Sequence, residues 1–322
     1  MPVDLSIIIV NWNSKEYLRK CIASILAETR CMEFEIVVID NASFDGCDEM
    51  LRRNYPQVRF MQSERNLGFA KANNEAFRTT SGQYILFLNP DTEIVASAVN
   101  TMLKHLRELP NAGAVGCKLL NADRSVQTSC IQSFPTILNQ LLDSELMRIL
   151  LHRSSLWGNE AIFASRNVPE EVEAISGACL MMHRTVFERV DLFSEDYFMY
   201  TEDIDLCYKI MKQSFKNYFI PTATVIHFGG GSTAENSPSG LAAVTMRKSI
   251  WRFLRKTRGN KYSSIYRFST LISAIGRIGI LTIIFPGYMI WRDRKSWNTS
   301  FQKWKSIFTW SLGLENPLRN HS

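Results

Sequence analysis

The sequence predicts an α/β fold followed by a basic, helical C-terminal region. Short apolar runs, at residues 5–10 and 34–39 for example, are typical of strands buried on both faces of a sheet. Segments with apolar residues at helical spacing come between these runs. The charge is divided unevenly: residues 241–322 hold 15 Lys and Arg against 2 Asp and Glu residues, a net charge of +13, whereas residues 1–240 carry −7.

The predicted elements alternate along the first part of the chain. Strands are expected at residues 5–10, 34–39, 58–62, 84–88 and 113–117, and helices are expected to begin at a capping Ser14, near 46, at Gly68 and near 95. This alternation indicates an open sheet with crossover helices. Beyond it we expect a helix at 138–151, strands at 174–182 and 218–226, and an amphipathic helix at Glu202–Lys212.

Polar residues follow the predicted strands. Ligands of open α/β sheets bind beyond the carboxyl ends of the strands, so these residues are expected to lie along one edge. They are Asn11, Asn13, Asp40, Asn41, Asn66, Asn89 and Asp91.

A second acidic segment lies about a hundred residues after Asp91. Glu202, Asp203 and Asp205 place three carboxylates within four residues. Carboxylates this close repel one another, so their grouping indicates a bound cation, a proton to be moved or a solvated helix start. Together with the Asp91 loop, this segment predicts a site that holds a metal-bound phosphate and removes a proton.

The seven cysteines form no CxxC pair, which favours buried free thiols in a reducing cytosol. The N-terminus has no basic region before its first strand, so no signal peptide is predicted.

The C-terminal region combines cations with aromatic residues. Residues 241–258 predict a basic helix, and residues 268–291 are largely apolar, with 14 uncharged residues at 278–291 as their longest piece. That length is short for a membrane-spanning helix and suits an interfacial or re-entrant segment, flanked by basic residues and tryptophans. A C-terminal helix packed on the core is the alternative. We favour membrane contact because aromatic and basic residues occur together over so long a stretch.

Six motifs in order resemble one family. They are SIIIVNWN at 6–13, VIDNASFDG at 38–46, NLGFAKANN at 66–74, FLNPD at 87–91, GACLM at 177–181 and TEDIDLC at 201–207. Over residues 4–235 the chain resembles family 2 glycosyltransferases, in particular the bacterial rhamnosyltransferase-like branch. The resemblance implies a GT-A fold and inverting transfer of a sugar from a nucleotide-sugar. A processive polysaccharide synthase is disfavoured, since the sequence has no QxxRW motif and no set of long spanning helices.

The resemblance also implies roles for single residues in donor binding. Asp40 takes the position that reads a uracil or thymine N3–H, although Asp-Asn-Ala-Ser is also good turn chemistry. Gly68 at a helix start lets backbone N–H groups approach a phosphate. The donor site is expected to be lined by Val10, Asn11, Asn13, Asp40, Asn41, Asn66, Gly68, Lys71, Asn74, Asn89 and Arg247. For Arg247 a solvated basic face is an equal alternative.

Asp91 stands where GT-A enzymes place a DxD motif, but the first Asp is replaced by Asn89. One carboxylate together with diphosphate oxygens and water suits Mg²⁺ or Mn²⁺, which would neutralise the departing diphosphate. His227 is either a second ligand or a structural histidine.

Asp203 matches the family's general base, which takes the proton of the acceptor hydroxyl. Glu202 is the neighbour that could be assigned in its place, and Asp205 is expected to support the helix start. The glycine-rich loop at 229–233 is either a lid over the diphosphate or a plain connector.

These points predict a transferase domain at 1–240 and a membrane-associating region at 241–322. The expected activity is non-processive transfer of a deoxyhexose, L-rhamnose from dTDP-rhamnose, to a lipid-linked or cell-surface glycan precursor. The expected location is the cytoplasmic face of the bacterial inner membrane, where the protein is peripheral. A UDP-hexose or UDP-galactofuranose donor is the alternative within the fold. A non-catalytic nucleotide- and lipid-binding protein is the alternative of another class. Nucleic acid is disfavoured because the first part of the chain is acidic and shows no nucleic-acid-binding motif.

Overall fold

The structure is a computed structural model that describes residues 3–142, 155–158, 160–163, 167–229, 239–290 and 294–314. Its strands are β1 (Leu5–Asn11), β2 (Phe34–Asp40), β3 (Arg59–Gln62), β4 (Tyr84–Leu88), β5 (Thr92–Val95), β6 (Ala112–Leu120), β7 (Ile131–Gln132), β8 (Glu170–Val172), β9 (Ala174–Ile175), β10 (Cys179–His183) and β11 (Lys216–His227).

The helices, in chain order, are α1 (Lys15–Glu28), α2 (Cys47–Asn54), α3 (Phe69–Phe77), α4 (Ala98–Glu108), α5 (Ile137–Leu141), α6 (Glu160–Phe163), α7 (Arg184–Arg189), α8 (Glu202–Lys212), α9 (Ser239–Ile290) and α10 (Arg294–Leu312). Two short 3-10 helices cover Thr128–Cys130 and Ser155–Trp157.

The main sheet is mixed, with strand order β3-β2-β1-β4-β10-β6-β11-β5 and β8 paired to β11. The first four strands run parallel. Strand β10 is antiparallel to both β4 and β6, and β11 runs parallel to β6 but antiparallel to β5. The predicted α/β fold is confirmed, and every residue of β1 and β4 is buried, as expected for central strands.

Several predicted boundaries agree with the structure and others do not. Strand β4 and helix α8 match their predictions. The single strand predicted at 174–182 is two strands, β9 and β10, separated by residues 176–178. Of the helix predicted at 138–151, α5 lies within the described residues, and residues 143–150 lie outside them.

The predicted cap of α1 is wrong in its chemistry. Ser14 precedes the helix, but its hydroxyl donates to the carbonyl oxygen of Trp12 at 3.0 Å and makes no capping bond. The carboxylate of Asp45 accepts the Lys15 backbone N–H at 2.9 Å instead. An acceptor from another loop therefore satisfies the first N–H of α1, which local sequence does not show.

The described chain forms two compact units. Residues up to 134, together with those at 155–229, make the first, and residues 135–142 with those at 239–314 make the second. The proposed boundary at 240 thus leaves out an earlier segment of the second unit. In that unit the backbone N–H of Ile137 donates to the Tyr262 hydroxyl at 3.1 Å.

Helix α9 is broken at Gly259, where φ is 84° and ψ is 175°. The predicted helix at 241–258 therefore ends at this break. Helix α10 turns Trp304, Ile307 and Trp310 inward, where they are buried in the second unit. Among the described helices, one segment, Gly240–Phe285, has the length and apolarity that membrane crossing requires.

All seven cysteines are free thiols, and only Cys31 is exposed.

Candidate active site

The polar residues that follow the strands meet at one edge of the sheet, as predicted. Asn11 and Asp40 end neighbouring parallel strands and lie opposite each other in register. Leu88, at the end of β4, pairs with Cys179 at the start of antiparallel β10. The backbone N–H of Asn89 consequently reaches the Ala178 carbonyl at 2.9 Å. The loop before β10 therefore joins the same edge.

Asp40 is fully buried and surrounded by donors. Its carboxylate accepts hydrogen bonds from the Asn11 side chain at 2.8 Å, the backbone N–H groups of Ser43 and Phe44 at 3.1 and 3.0 Å, the Ser43 hydroxyl and the Gln62 side chain at 2.9 Å. Burial raises the pKa of Asp40, but the bonds from Ser43, Gln62, Phe44 and Asn11 outweigh it and hold the pKa below its usual value. The turn chemistry seen in the sequence is thus present.

The ligand atoms of Asp40, Asp45 and Cys47 lie within 4.8 Å of one another, a spacing that could hold a metal. The side-chain amide nitrogen of Asn11 lies among them, 2.8 Å from Asp40, 3.3 Å from Asp45 and 3.4 Å from the Cys47 sulfur. Burial, with the nearby carboxylates, raises the pKa of the Cys47 thiol far above its usual value. The amide donor of Asn11 therefore contacts all three residues of this group.

A second network holds the loop before α3. The Asn41 side chain donates to Asn66 Oδ1 at 2.9 Å and accepts the Leu67 N–H at 2.7 Å. Asn66 Oδ1 also accepts the Gly68 N–H at 2.9 Å. These two predicted donor-site residues thus fix the backbone at the start of α3.

Gly68 has φ 77° and ψ 176°, a conformation almost confined to glycine. A Cβ at this position would lie 2.3 Å from the carbonyl oxygen of Phe198. That same oxygen accepts the Phe69 N–H at 3.0 Å. Glycine is therefore needed at position 68 because the backbone there lies close to the loop before α8.

Asn74 also contacts that loop. Its amide donates to the Phe193 carbonyl at 2.9 Å and to Glu195 at 3.1 Å, and its oxygen accepts the Phe193 N–H at 3.1 Å. The side chain is buried, with 1% of its surface exposed. Lys71 lies 4.0 Å from the Glu195 carboxylate. These contacts bind residues 193–195 of the protein itself.

Asp91 and His227 meet in space. The Asp91 Oδ1 and His227 Nε2 atoms are 3.4 Å apart, and the backbone N–H of Phe228 donates to the Asp91 carbonyl at 2.9 Å. Strand β11 brings them together by pairing His227 with Thr92 of β5. The Asn89 side-chain nitrogen is also 3.4 Å from His227 Nε2.

Gln127 contacts both the backbone and the ring of His227. Its amide nitrogen donates to the His227 carbonyl at 2.6 Å, which turns its oxygen to His227 Nδ1 at 2.9 Å. This contact favours a proton on Nδ1, and in the neutral ring Nε2 then carries the lone pair and faces Asp91. Metal-ligating histidines are commonly oriented by such a second hydrogen bond.

The acidic segment opens α8. Gly177 donates its backbone N–H to Asp203 Oδ2 at 2.8 Å, and Ile204 donates to Asp203 Oδ1 at 2.8 Å. Glu202 is 7% exposed, and its Oε2 has no partner among the described residues. Burial and the charge of Asp203 raise the pKa of Glu202 to about 8, and burial also raises the pKa of Asp203.

Asp205 lies in the first turn of α8, as predicted, and does more than support it. Its carboxylate accepts the Ser194 hydroxyl at 2.5 Å and the Tyr197 hydroxyl at 3.1 Å. It thereby ties the 194–197 loop to the helix that carries Asp203.

The remaining predicted residues have simpler surroundings. Val10 is buried in β1, and Asn13 is exposed with φ 51°. Arg247 lines a cavity inside the second unit together with Tyr266 and Trp304. Of the glycine-rich loop at 229–233, only Gly229 lies within the described residues. The roles predicted for these residues stay predictions.

Sequence reasoning missed three residues that shape the site: Asp45, Gln127 and Gln62. Gln127 lies 100 residues before His227, and no local pattern links the two. Gly177 stood in a recognised motif, but its bond to Asp203 follows only from the fold.

Known proteins resemble this chain over most of its length. Residues 6–190 match the family model Glycosyl transferase family 2. The chain is 28% identical over 267 residues to the N-acetylglucosaminyl-diphospho-decaprenol L-rhamnosyltransferase of Mycobacterium tuberculosis, covering 78% of this chain and 83% of that protein. It is 26% identical over 266 residues to the rhamnosyltransferase WbbL of Escherichia coli K12, covering 78% and 93%.

Among solved structures, the mannosyltransferase PcManGT of Pyrobaculum calidifontis, in complex with GDP-Man and Mn²⁺, resembles the chain with a TM-score of 0.59. The match covers 98% of this chain and 89% of that one at 14% identity. At this identity the likeness supports the fold, which is the GT-A fold of glycosyltransferases.

Proposed function

The chain belongs to glycosyl transferase family 2, and we propose that it is an inverting, non-processive transferase that moves L-rhamnose from dTDP-rhamnose to a lipid-linked glycan precursor. Two relatives named as rhamnosyltransferases support the choice of sugar. The name of the mycobacterial relative specifies a diphospho-decaprenol acceptor, which supports a lipid-linked acceptor here.

One observation carries the proposal: the candidate base and the candidate metal ligands lie at one edge of the sheet. Gly177 donates to Asp203 at 2.8 Å, and its neighbour Ala178 accepts the N–H of Asn89, two residues before Asp91. Residues 177 and 178 therefore join Asp203, the proposed base, to the segment that carries Asp91, the proposed metal ligand. Sugar transfer from a nucleotide donor needs both.

The two adjacent carboxyls suit different tasks. With a pKa of about 8, Glu202 keeps its proton at neutral pH and cannot accept another. Asp203 is held by two N–H donors that favour its ionised form, and it is less buried than Glu202. Because burial still raises its pKa, Asp203 is a stronger base than a surface aspartate.

We propose that Asp203 accepts the proton of the acceptor hydroxyl. As the hydroxyl oxygen attacks the anomeric carbon, the new C–O bond forms on the face opposite the departing group. The bond between that carbon and the diphosphate oxygen breaks, and the nucleoside diphosphate leaves with the electron pair. The anomeric configuration is inverted in this single displacement.

Asp91 and His227 fit a divalent cation. Their facing acceptor atoms are 3.4 Å apart, and the Gln127 contact leaves the Nε2 lone pair available. A carboxylate with an imidazole suits Mn²⁺ better than Mg²⁺, which prefers oxygen ligands. A cation held there would neutralise charge on the departing diphosphate.

We propose that Asp40 accepts the N3–H of thymine or uracil. Two carboxylate oxygens offer about four lone-pair sites, and five donors already approach those of Asp40. A base can bind only where one donor moves away. The exposed Gln62 is the partner best able to do so.

The same proposal locates the reaction at the cytoplasmic face of the inner membrane, where the basic C-terminal region meets the lipid that carries the acceptor. The net charge of +13 on residues 241–322 supports attraction to an anionic leaflet.

Donor turnover tests the proposal. Purified protein with Mn²⁺ or Mg²⁺ and a bacterial lipid extract is given a panel of dTDP- and UDP-sugars, and nucleoside diphosphate release is followed. We expect release from dTDP-rhamnose, its loss with EDTA and a fall of roughly 10²–10⁴-fold in Asp203→Asn. Exposed Asp48→Asn is the matched control and should keep wild-type turnover.

The outcomes separate the parts of the proposal. Release from a UDP-hexose or UDP-galactofuranose alone would overturn the donor. Full activity of Asp203→Asn would overturn the base. Asp91→Asn should raise the metal concentration needed for half-maximal rate, whereas Glu93→Gln, two residues further on in β5, should not. Equal behaviour of the two variants would contradict the metal assignment. Nucleotide binding without turnover of any donor would favour a binding protein.

A further inference from the structure

The second unit carries an apolar face on α9 that the described protein leaves uncovered. We call this surface the outer face. It consists of Ile265, Phe268, Ile272, Ile275 and Ile283, each of which has at least half of its surface exposed. At 100° per residue they fall within an arc of about 80° and extend over about 27 Å of helix. Gly279 falls within this arc and Gly276 lies beside it, and a Cβ added to either would have nothing within 4 Å.

The opposite side of α9 is used differently. Tyr266, Thr270 and Ala274 are buried there. The two charged residues between Ile265 and Ile283 also turn to α10: Arg267 donates to the Trp310 carbonyl at 2.8 Å, and the Arg277 guanidinium lies 4.6 Å from the centre of the Trp304 ring. The outer face is therefore free of charge along its whole length.

Cations stand at both ends of the outer face. Arg258 and Lys261 are exposed at its start. Arg294 and Lys295 are exposed beyond its end, where they line an open pocket with Phe285 and Trp297. No Asp or Glu occurs from residue 236 to 292. An apolar strip bracketed by cations and a tryptophan complements an anionic phospholipid leaflet, with acyl chains below and phosphates at the ends.

We propose that α9 lies in the plane of an anionic phospholipid leaflet, with the outer face inserted between lipids, and does not cross the bilayer. Spanning is disfavoured because α10 covers the other side of α9 and exposes Gln302 and Lys305, which crossing would bring into hydrocarbon. The inference takes from the proposed function only the membrane as partner, and it stands whatever the donor sugar is.

Vesicle binding tests the outer face. The purified full chain is floated with vesicles of equal phosphatidylglycerol and phosphatidylcholine. The triple variant Phe268→Ser, Ile272→Ser, Ile275→Ser should bind at least about tenfold more weakly, equivalent to about 1.4 kcal/mol. The matched control, Leu138→Ser, Val168→Ser, Met211→Ser, removes three exposed apolar side chains elsewhere and should bind like wild type. Equal binding of the outer-face variant and wild type overturns the proposal.

Alkaline carbonate extraction of membranes from producing cells tests the orientation. Release of wild-type protein supports in-plane binding, and retention in the bilayer overturns it. Light scattering of lipid-free protein tests whether a second copy of the chain covers the outer face instead. A wild-type dimer that the triple variant loses, with vesicle binding unchanged, would assign the face to a second copy and overturn the proposal.

A thermal shift with dTDP and UDP keeps this result apart from the proposed function. The outer-face variant should show the wild-type shift, which demonstrates an intact first unit. If wild type binds vesicles but shows no shift with either nucleotide, the transferase proposal fails while the membrane inference stands.

Discussion

Gly68 is the backbone position at which one added methyl group should disturb the candidate site most. Its φ of 77° and ψ of 176° cost a non-glycine residue about 1–3 kcal/mol. Its Cβ would meet the Phe198 carbonyl oxygen at 2.3 Å, so the two backbones must separate by roughly 1 Å to reach ordinary contact. Together these effects give about 2–4 kcal/mol of destabilisation for Gly68→Ala.

Thermal unfolding measures the first consequence. For a unit of this size the loss corresponds to a fall in Tm of about 5–15 °C. Gly46→Ala is the matched control, since Gly46 also has a positive φ of 79° but its added Cβ would meet only the flexible Lys15 Nζ at 3.3 Å. The control should lose about 1–2 kcal/mol from backbone strain alone.

Turnover measures the second consequence. The loop that Gly68 contacts leads directly into Glu202 and Asp203. A displacement of about 1 Å at a reacting group can lower the rate roughly 10²-fold. We therefore expect kcat of Gly68→Ala to fall while the KM for donor changes little. Destabilisation no greater than in Gly46→Ala, with normal kcat, would refute the clash with Phe198 as the reason for glycine.

Three further variants test other contacts of the site. Between pH 4.5 and about 8 the unfolded Glu202 carboxyl loses a proton that the folded one keeps, so the stability of the wild type falls as pH rises. Glu202→Gln should remove this fall. An unchanged pH profile of stability in urea unfolding would show that the pKa of Glu202 is ordinary. Asn74→Ala should lower the free energy of unfolding by about 1–3 kcal/mol in the same assay, because it leaves buried backbone groups of Phe193 without hydrogen-bond partners. Asn100→Ala removes a similar but exposed pair of bonds to the backbone of Arg30 and should cost less. Equal losses would contradict the role of burial. Gln127→Leu should weaken Mn²⁺ activation about 10–100-fold by freeing the His227 ring, and an unchanged activation curve would argue against His227 as a ligand.

The sequence predicted the ligand edge because it depends on two local signals, continuous apolar runs and the polar residues that end them. Parallel strands bring such ends together whatever their order in the sheet. Asn11, Asp40 and Asn89 meet for this reason. The 3.4 Å approach of His227 to Asp91 agrees with one of the two alternatives predicted for His227, that of a second ligand.

The missed features depend on pairings that local sequence does not encode. An apolar run reads the same in either direction, so antiparallel β10 and its insertion between β4 and β6 were not visible. Strand β5 is short and overlaps the acidic loop that was interpreted as ligand chemistry. The cap of α1 by Asp45 and the orientation of His227 by Gln127 join residues 30 and 100 positions apart.

The motifs at 66–74 and 201–207 both hold the loop before α8 in place. Residues of the first motif contact the loop before α8. Gly68 lies against Phe198, the N–H of Phe69 donates to the Phe198 carbonyl, and Asn74 bonds to Phe193 through both its nitrogen and its oxygen. From within α8, Asp205 holds Ser194 and Tyr197.

The loop is thus fixed at several points before the chain reaches Asp203, whose remaining freedom is limited by Gly177. A base must lie within hydrogen-bond reach of the hydroxyl it deprotonates, and such support provides that accuracy. It follows that conservative changes in the 66–74 motif should act on kcat through Asp203, whereas changes at Asn11 or Asp40 should act on nucleotide affinity. This division is the reverse of what a phosphate-binding interpretation of the glycine motif would predict.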